Sequence, residues 1–249
     1  MEYKDIIKEA YYHDKTGMLL KGDCLEWMAK FPDKSVDMIL ADLPYGTTQC
    51  KWDSIIPFDK LWEQYERIIK DDGAMMFTAS QPFTSALVMS NPKLFRYEWI
   101  WYKSKGTGHL DAKRRPLKAH ESVLCFSKKR TVYNPQMTKG EKHHRGQKCQ
   151  SKQTQVYGKF TFDLYYSDEY YPQSVQFFNV QERAIHPTQK PVELFEYLIK
   201  TYTNENEIVL DNTAGVCTTA VACKNLNRRW ICIEKEEEYC DKSVKRLTE

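Results

Sequence analysis

Short apolar runs alternate with amphipathic stretches along most of the chain. Apolar runs of about four to eight residues bounded by turn residues are typical of buried strands, and apolar positions three and four apart are typical of helices. The pattern predicts strands over residues 18–20, 35–41, 74–78, 97–102, 122–126, 207–210 and 230–234, and helices over 24–30, 58–70, 82–89, 192–202 and 218–224. This alternation favours an α/β fold built on a doubly wound, mostly parallel sheet.

Residues 131–183 interrupt the alternation. This stretch is rich in Gln, Lys, Tyr and Ser and shows no clear period. We therefore predict one α/β domain made of residues 1–130 and 184–249, with an inserted segment over 131–183.

The bulk composition excludes several classes of protein. No apolar run approaches the ~20 residues needed to cross a bilayer, and the charged N-terminal residues lack the apolar core of a signal peptide. The eight cysteines form no C-x-x-C pair, and no histidine stands at zinc-finger spacing from them. We expect a cytoplasmic protein with buried thiols, without a metal site and without a membrane partner.

Charge is distributed unevenly. The segment from Lys103 to Lys152 carries 14 Lys and Arg against 3 acidic residues, a local net charge of +11, so the rest of the chain carries −8 of the overall +3. A basic segment on an acidic body favours a polyanionic partner, although a solvated basic loop would give the same pattern.

Three short motifs stand where a doubly wound sheet binds its ligands, after a strand or at the start of a helix. They are DLPY at residues 42–45, HPTQKP at 186–191 and DNTAGVCTT at 211–219. Together, in this order, they resemble the amino-methyltransferases of DNA in their circularly permuted β-type arrangement. That family has D-P-P-Y first, and H-P-T-Q-K-P followed by D-P-F-x-G-S-G-T-T later.

The resemblance covers nearly the whole chain except the insertion. It implies the Rossmann-like fold of S-adenosylmethionine-dependent methyltransferases, S-adenosylmethionine as cofactor, and double-stranded DNA as partner, with the insertion as target-recognition segment. The third motif departs from the family at Asn212, Val216 and Cys217, where the family has Pro, Ser and Gly. Because glycine lets a backbone approach a ligand closely, Cys217 is expected to affect cofactor affinity rather than cofactor identity.

The DLPY motif supplies the catalytic candidates Asp42, Leu43, Pro44 and Tyr45. The amino group of a base is a weak nucleophile because its lone pair is delocalised into the ring. The carboxylate of Asp42 and the carbonyl of Leu43 would accept its two N–H bonds, and Pro44 would fix that carbonyl. Tyr45 would stack on the extruded base. The alternative for Asp42 is a helix N-cap.

The resemblance also implies the cofactor contacts. Asp211 would lie near the methionine moiety, Glu234 would accept from the ribose hydroxyls, and Asp23 would contact the adenine. An exposed charge at Glu234 and a helix N-cap at Asp23 remain open. The full candidate set is Asp23, Cys24, His186, Thr188, Gln189, Lys190, Asp211, Gly215, Thr218, Thr219 and Glu234.

Phosphate contacts are expected from the basic segment, in a loop after a strand and in the insertion. The candidates are Lys103, Lys105, Lys113, Arg114, Arg115, Lys118, Lys142, Arg145 and Lys148. Base edges would be read by Arg145 or by glutamines of the insertion, namely Gln147, Gln150, Gln153 and Gln155.

These observations predict a site-specific DNA methyltransferase that flips an adenine and methylates its N6 amino group, and we expect a homodimer. Methylation of the cytosine N4 amino group remains an alternative, although Asp42 favours adenine because cytosine enzymes of the family more often carry Ser. An RNA adenine methyltransferase is a second alternative, with stacking by Tyr165, Tyr166, Tyr170 or Tyr171. A catalytically inactive DNA-binding subunit is a third, against which the intact DLPY motif argues.

Overall fold

The computed structural model describes residues 3–47, 50, 53–145, 165–181 and 184–249. The chain divides into two compact units, one made of residues 1–134 and 174–249 and the other of residues 135–173. The sequence of the first unit is therefore interrupted once, by residues 135–173, which lie within the stretch 131–183 that shows no clear period. No helix in the described residues is long and apolar enough to cross a membrane.

Eleven strands and seven α-helices are described. The strands are β1 (Tyr12–His13), β2 (Gly17–Lys21), β3 (Val36–Ala41), β4 (Ile69–Ala79), β5 (Phe95–Thr107), β6 (Lys118–Phe126), β7 (Thr138–Arg145), β8 (Tyr165–Tyr170), β9 (Val175–Phe178), β10 (Ile208–Asp211) and β11 (Arg229–Glu234). The helices are α1 (Tyr3–Ile6), α2 (Cys24–Lys30), α3 (Phe58–Ile68), α4 (Phe83–Ser90), α5 (Val192–Tyr202), α6 (Thr218–Asn225) and α7 (Glu237–Thr248).

The first unit is built on one nine-stranded sheet with the strand order β1-β2-β11-β10-β3-β4-β6-β5-β9. Five consecutive strands of the sheet, β2, β11, β10, β3 and β4, are parallel to one another, and β9 is parallel to β5. The pairs β1–β2, β4–β6 and β5–β6 are antiparallel. The predicted α/β class with a mostly parallel sheet is confirmed.

Both faces of the sheet are covered, which explains the near-continuous apolar runs. Successive side chains of β3 point to opposite faces. Ile39 packs in a core with residues of α2, α3 and α4. Met38 and Leu40 pack in a second core with residues of α5 and α6. Every residue of β3 is buried, so the strand could not show a polar–apolar alternation.

Several predicted boundaries are wrong. The helix expected over 58–70 ends at Ile68, because Ile69 is already extended and begins β4. The loop expected from Lys103 to Lys118 is shorter, since β5 runs to Thr107 and β6 begins at Lys118. The described part of the stretch without a clear period contains the strands β7, β8 and β9, of which β9 joins the main sheet. In the second unit, β7 and β8 form a two-stranded antiparallel sheet.

Candidate active site

The parallel strands open at their carboxyl ends onto a cleft of about 600 Å³ in the first unit. An acidic residue ends or closely follows each of four neighbouring strands: Asp23 after β2, Glu234 on β11, Asp211 on β10 and Asp42 after β3. Carboxyl ends of such strands are where doubly wound sheets bind their ligands, and the volume suits a small organic molecule.

The candidate residues of the three motifs converge on this cleft. Asp42, Leu43, Pro44 and Tyr45 all line it. So do all the cofactor candidates except Thr219, namely Asp23, Cys24, His186, Thr188, Gln189, Lys190, Asp211, Gly215, Thr218 and Glu234. Thr219 is fully buried, and its hydroxyl donates to Asp211 Oδ2 at 2.5 Å.

Three donors hold the Asp42 carboxylate. The Tyr45 hydroxyl donates to Oδ1 at 2.8 Å, and the Thr78 hydroxyl at the end of β4 donates to the same oxygen. Lys190 Nζ donates to Oδ2 at 2.5 Å. Asp42 is therefore fixed by hydrogen bonds to three other side chains and does not cap a helix.

The loop that carries Asp42 is itself braced. Asp53 accepts the backbone N–H of Gly46 at 2.8 Å and that of Thr47 at 2.9 Å. Gly46 has a φ of 66°, a left-handed conformation that favours glycine. The Thr213 hydroxyl donates to the backbone carbonyl of Asp42 at 3.1 Å, which ties this loop to the one that follows β10.

Two candidates lie in a different environment from the one the sequence suggests. Lys190, expected among the cofactor contacts, is buried beside Asp42, with its Nζ also 3.6 Å from Glu121 Oε2. Lys103, expected on the DNA surface, is buried and donates to Glu121 Oε1. The reason is strand alternation, because Lys103 shares the buried side of β5 with Trp99 and Trp101.

Glu121 is a site residue that sequence reasoning missed. It lies on β6, directly across from Trp101 of β5, and it lines the cleft. Burial would raise the pKa of the Glu121 carboxyl, but Lys190 and Lys103 outweigh it and hold that pKa below its usual value. Burial likewise would lower the pKa of Lys190, and the carboxylates of Asp42 and Glu121 raise it instead. The only sequence signal was one acidic residue at the start of the apolar run SVLCF.

The carboxylates of β10 and β11 have uncharged partners. Besides Thr219, Asp211 accepts the backbone N–H of Thr213 at 3.2 Å. Glu234 accepts the N–H of Gly215 at 2.7 Å and that of Glu236 at 2.8 Å. Burial raises the pKa of Asp211 to about 7, although these hydrogen bonds oppose the shift, and burial also raises the pKa of Glu234.

Asp23 and His186 have structural partners while lining the cleft. Asp23 is the N-cap of α2, because its Oδ1 accepts the N–H of Leu25 at 2.8 Å and that of Glu26 at 3.4 Å. His186 Nδ1 lies 3.2 Å from the backbone nitrogen of Thr188, which donates to it. The His186 ring packs against Tyr239 at 4.3 Å between centroids, and burial lowers its pKa.

The loop between β10 and α6 shows how its departures from the family motif are accommodated. Gly215 has a φ of 52°, as a glycine readily adopts, and Cys217 has a φ of 55° although it is not glycine. Asn212 is buried, and its Oδ1 accepts the Tyr65 hydroxyl at 2.6 Å. The chain thus keeps a left-handed turn at position 217 despite the side chain.

The charge of this end of the cleft fits the cofactor that the motifs imply. S-adenosylmethionine carries a sulfonium and an ammonium group. No lysine or arginine in the described part of the chain forms an ion pair with Asp23, Asp211 or Glu234. Buried carboxylates without a cationic partner are expensive unless a ligand supplies the charge. Asp211 and Glu234, which are both buried, are therefore suited to the hydroxyl and cationic groups of a cofactor, whereas Asp23 is half-buried and already caps α2.

The basic segment is only partly exposed. Lys105, Lys113, Arg114 and Arg115 are exposed on β5 and in the turn that follows it. Lys118 is half-buried, and burial lowers its pKa. In the second unit Lys142 is exposed on β7 and Arg145 ends that strand, while Lys148 and the candidate readers Gln147, Gln150, Gln153 and Gln155 lie outside the described residues. In the described part of the chain, no cluster of residues is suited to hold a metal ion.

The fold agrees with the comparisons to known proteins. The sequence model of the family described as "DNA methylase", the N6/N4 methyltransferases, matches residues 36–245, and the chain belongs to this family. It is 28% identical to the Type II methyltransferase M.BglII of Bacillus subtilis, over 94% of this chain and 70% of that protein. It is also 28% identical to the DNA adenine methyltransferase YhdJ of Escherichia coli (strain K12), over 95% of this chain and 84% of that one.

Two solved structures illustrate the similarity of fold. The M1.HpyAVI–SAM complex superposes with a TM-score of 0.65 at 26% identity, covering 93% of this chain and all of that one. The cytosine-N4-specific PvuII DNA methyltransferase superposes with a TM-score of 0.72, covering 96% of this chain and 89% of that one, and at 18% identity it shows the fold alone. The chain is an S-adenosylmethionine-dependent DNA methylase.

Proposed function

We propose that the chain is a site-specific DNA methyltransferase that methylates the N6 amino group of adenine in double-stranded DNA. The observation that carries this proposal is the carboxylate of Asp42, oriented in the cleft by the side chains of Tyr45, Thr78 and Lys190. An amino group offers two N–H donors, and a fixed carboxylate next to a carbonyl is a matching pair of acceptors.

Each residue of the DLPY motif has a part in this reaction. The target base must leave the helix, because its amino group is paired inside the duplex. Asp42 and the Leu43 carbonyl accept the two N–H bonds, so that the nitrogen pyramidalises and aims its lone pair. Tyr45, which lines the cleft and stacks on Phe83 at 5.0 Å, presents an aromatic surface to the base.

S-adenosylmethionine supplies the methyl group on a sulfonium sulfur. Asp211, Glu234 and Asp23 hold that cofactor at one end of the cleft, while Asp42 holds the base at the other. Alignment of the amino nitrogen contributes most of the rate, since a positioned reaction avoids the entropy of bringing the partners together. The nitrogen loses its extra proton to water afterwards, so no general base is assigned.

Cytosine N4 is the second candidate substrate. Its amino group has the same two donors, and the cytosine-N4-specific PvuII enzyme shares the fold. Asp42 at the first motif position, where cytosine enzymes more often carry Ser, favours adenine, as does the similarity to YhdJ, whose name specifies adenine.

We further propose that residues 131–183 recognise the target sequence and that two copies of the chain act together. The basic residues of this segment and its exposed tyrosines, such as Tyr166 and Tyr171, suit contacts with a nucleic acid. A segment of this size offers little surface for a long site, and a dimer doubles it. Sedimentation that shows only monomer, with and without DNA, would refute the dimer.

One experiment tests the proposed activity. The chain and an Asp42→Ala control are expressed in a host free of DNA methylation, and the DNA is sequenced with detection of modified bases. We expect N6-methyladenine at one sequence, and none with the control. N4-methylcytosine would transfer the proposal to cytosine. Modified RNA with unmodified DNA would indicate an RNA enzyme, and no modification at all would indicate an inactive subunit.

A further inference from the structure

Four charged side chains form a buried line that ends at Asp42. Lys103 donates to Glu121 Oε1, Lys190 Nζ lies 3.6 Å from Glu121 Oε2, and the same Nζ lies 2.5 Å from Asp42 Oδ2. The side chains of Lys103 and Lys190 are each 7% exposed, and that of Glu121 is 13% exposed. The charges alternate and sum to zero.

A buried line of charges such as this one is not expected to add to the folding stability of the protein. Removing charges from water costs several kcal/mol per ion, which their mutual attraction recovers only with complete hydrogen bonding. Here the hydrogen bonding is incomplete, because Glu121 Oε2 is buried without a hydrogen-bond partner among the described residues. The distance of 3.6 Å between this oxygen and Lys190 Nζ is a few tenths of an ångström longer than an ordinary hydrogen bond.

At the other end of the line, both carboxylate oxygens of Asp42 already accept hydrogen bonds, which leaves little room for the amino group of a base. Tyr45 and Thr78 donate to Oδ1, and Lys190 donates to Oδ2. With Lys190 in this place, a full positive charge lies next to the oxygen that should stabilise positive charge growing on the amino nitrogen. A small shift of Lys190 toward Glu121 would remove this conflict.

We propose that Glu121 is a positioning residue, fixed by Lys103, that takes over the hydrogen bond of Lys190 when the amino group of the target base enters the cleft. Glu121 Oε2, which accepts no hydrogen bond within the described residues and lies 3.6 Å from Lys190 Nζ, is the acceptor to which Lys190 moves, and the move leaves Asp42 Oδ2 to the amino group. Lys103 keeps the other oxygen of Glu121 in place throughout. The raised pKa of Lys190 and the lowered pKa of Glu121 keep both residues charged for this exchange.

This inference rests on the proposed methylation of an amino group, and it holds for adenine and cytosine alike. The test is a double-mutant cycle on single-turnover methyl transfer to duplex DNA, with Glu121→Gln, Lys190→Gln and the double variant. We expect Glu121→Gln to lower the rate roughly ten- to a hundredfold, as loss of an outer hydrogen-bonding partner does elsewhere, with unchanged KM for DNA and for the cofactor.

In the Lys190→Gln background the same Glu121→Gln change should alter the rate less than about threefold, because the lysine whose hydrogen bond Glu121 would accept is absent. Effects that multiply across the cycle, or a wild-type rate in Glu121→Gln, would overturn the proposal. If Glu121→Gln does not fold, Glu121→Asp is used in its place, since the shorter side chain keeps the negative charge but holds it further from Lys190 Nζ. An intermediate rate with unchanged KM would support the proposal, and a wild-type rate would overturn it.

The matched control is Asp37→Asn. Asp37 is a buried carboxylate of β3 that pairs with Lys70 at 2.5 Å and does not line the cleft. Its loss should lower the unfolding midpoint without changing the methyl-transfer rate. An equal loss of rate in this control would assign the effect of Glu121 to general destabilisation. A wild-type chain that transfers no methyl group to any amino group would instead refute the proposed function.

Discussion

The two ends of the cleft hold buried carboxylates by different means. On β10 and β11, the hydrogen bonds that Asp211 and Glu234 accept from other described residues come only from hydroxyl and backbone N–H groups. Across β3 and β6, Asp42 and Glu121 face the ammonium group of Lys190. Both pairs lie along the same edge of one sheet, so the fold alone does not dictate the difference.

Under the proposed function, the difference follows from the charge of the two reactants. A cationic cofactor completes a site that has negative charge to spare, whereas a neutral base needs a site that is already balanced. The opposite pKa shifts express this, since the pKa of Asp211 is raised to about 7 while that of Glu121 is lowered. If the proposed roles hold, the end with Asp211 and Glu234 is suited to a charged ligand, and the end with Asp42 and Glu121 to a hydrogen-bonding geometry.

The largest expected effect comes from Asp42→Asn. The amide cannot accept from Lys190, Tyr45 and Thr78 and also hold an amino group, so kcat should fall by at least about a hundredfold. Cofactor affinity, measured by calorimetry, should stay within about threefold of wild type, because Asp42 serves the base end. Methyl transfer at the normal rate in this variant would contradict the division of the cleft.

Asp211→Asn is the reciprocal change. It removes negative charge from the cofactor end, so cofactor affinity should fall roughly tenfold or more, by about 1.4 kcal/mol per factor of ten. In the wild-type protein a pKa of about 7 leaves Asp211 largely neutral at pH 6 and charged at pH 8. Affinity for the cationic cofactor should therefore rise roughly tenfold between these pH values, and the dependence should weaken in the variant.

Calorimetry at pH 6, 7 and 8 measures both expectations. The reaction product S-adenosylhomocysteine, which keeps the ammonium group but lacks the sulfonium charge, is the control ligand, and its affinity should depend less on pH. Equal pH profiles for wild type and Asp211→Asn would show that another group controls cofactor binding.

The exposed basic turn should affect DNA binding without touching either end of the cleft. Arg114 and Arg115 are exposed, and Arg115 pairs with Asp111 at 2.9 Å, a weak surface interaction. Reversing both charges should weaken binding to all DNA sequences about equally. The slope of log affinity against log salt should fall by about 0.9 for each phosphate that the variant no longer neutralises.

The matched control reverses two exposed lysines of the N-terminal region, Lys4 on α1 and Lys8 just after it. If DNA follows the basic turn, this control should leave the slope closer to that of wild type than the Arg114 and Arg115 variant does. An unchanged slope in the variant with Arg114 and Arg115 reversed would mean that DNA binds elsewhere and that the basic turn is only a solvated loop.

The sequence could predict the acidic row of the cleft but not the lysines that balance half of it. Buried strands read as apolar runs, so the positions that follow them, such as Asp42 and Asp211, could be placed at one sheet edge. Lys103 reads as a surface charge from its neighbours, yet the alternation of β5 turns it inward. Glu121 meets Lys103 only through the pairing of β5 with β6, a contact between distant residues that local periodicity does not encode.

The smallest expected effect tests the left-handed turn that shapes the cofactor end. Cys217 is fully buried at the N-cap of α6 with a φ of 55°. An L-residue pays roughly 1–2 kcal/mol in this conformation and glycine does not. Cys217→Ala removes the packing of the thiol and keeps the backbone penalty, whereas Cys217→Gly removes more side chain and also the penalty. Urea unfolding should therefore find the glycine variant more stable than the alanine variant by about 1 kcal/mol, the reverse of the order expected from helix propensity. If the alanine variant proves the more stable, the backbone at Cys217 is not left-handed in solution. The chain would then have a different backbone conformation at the position where the family has glycine.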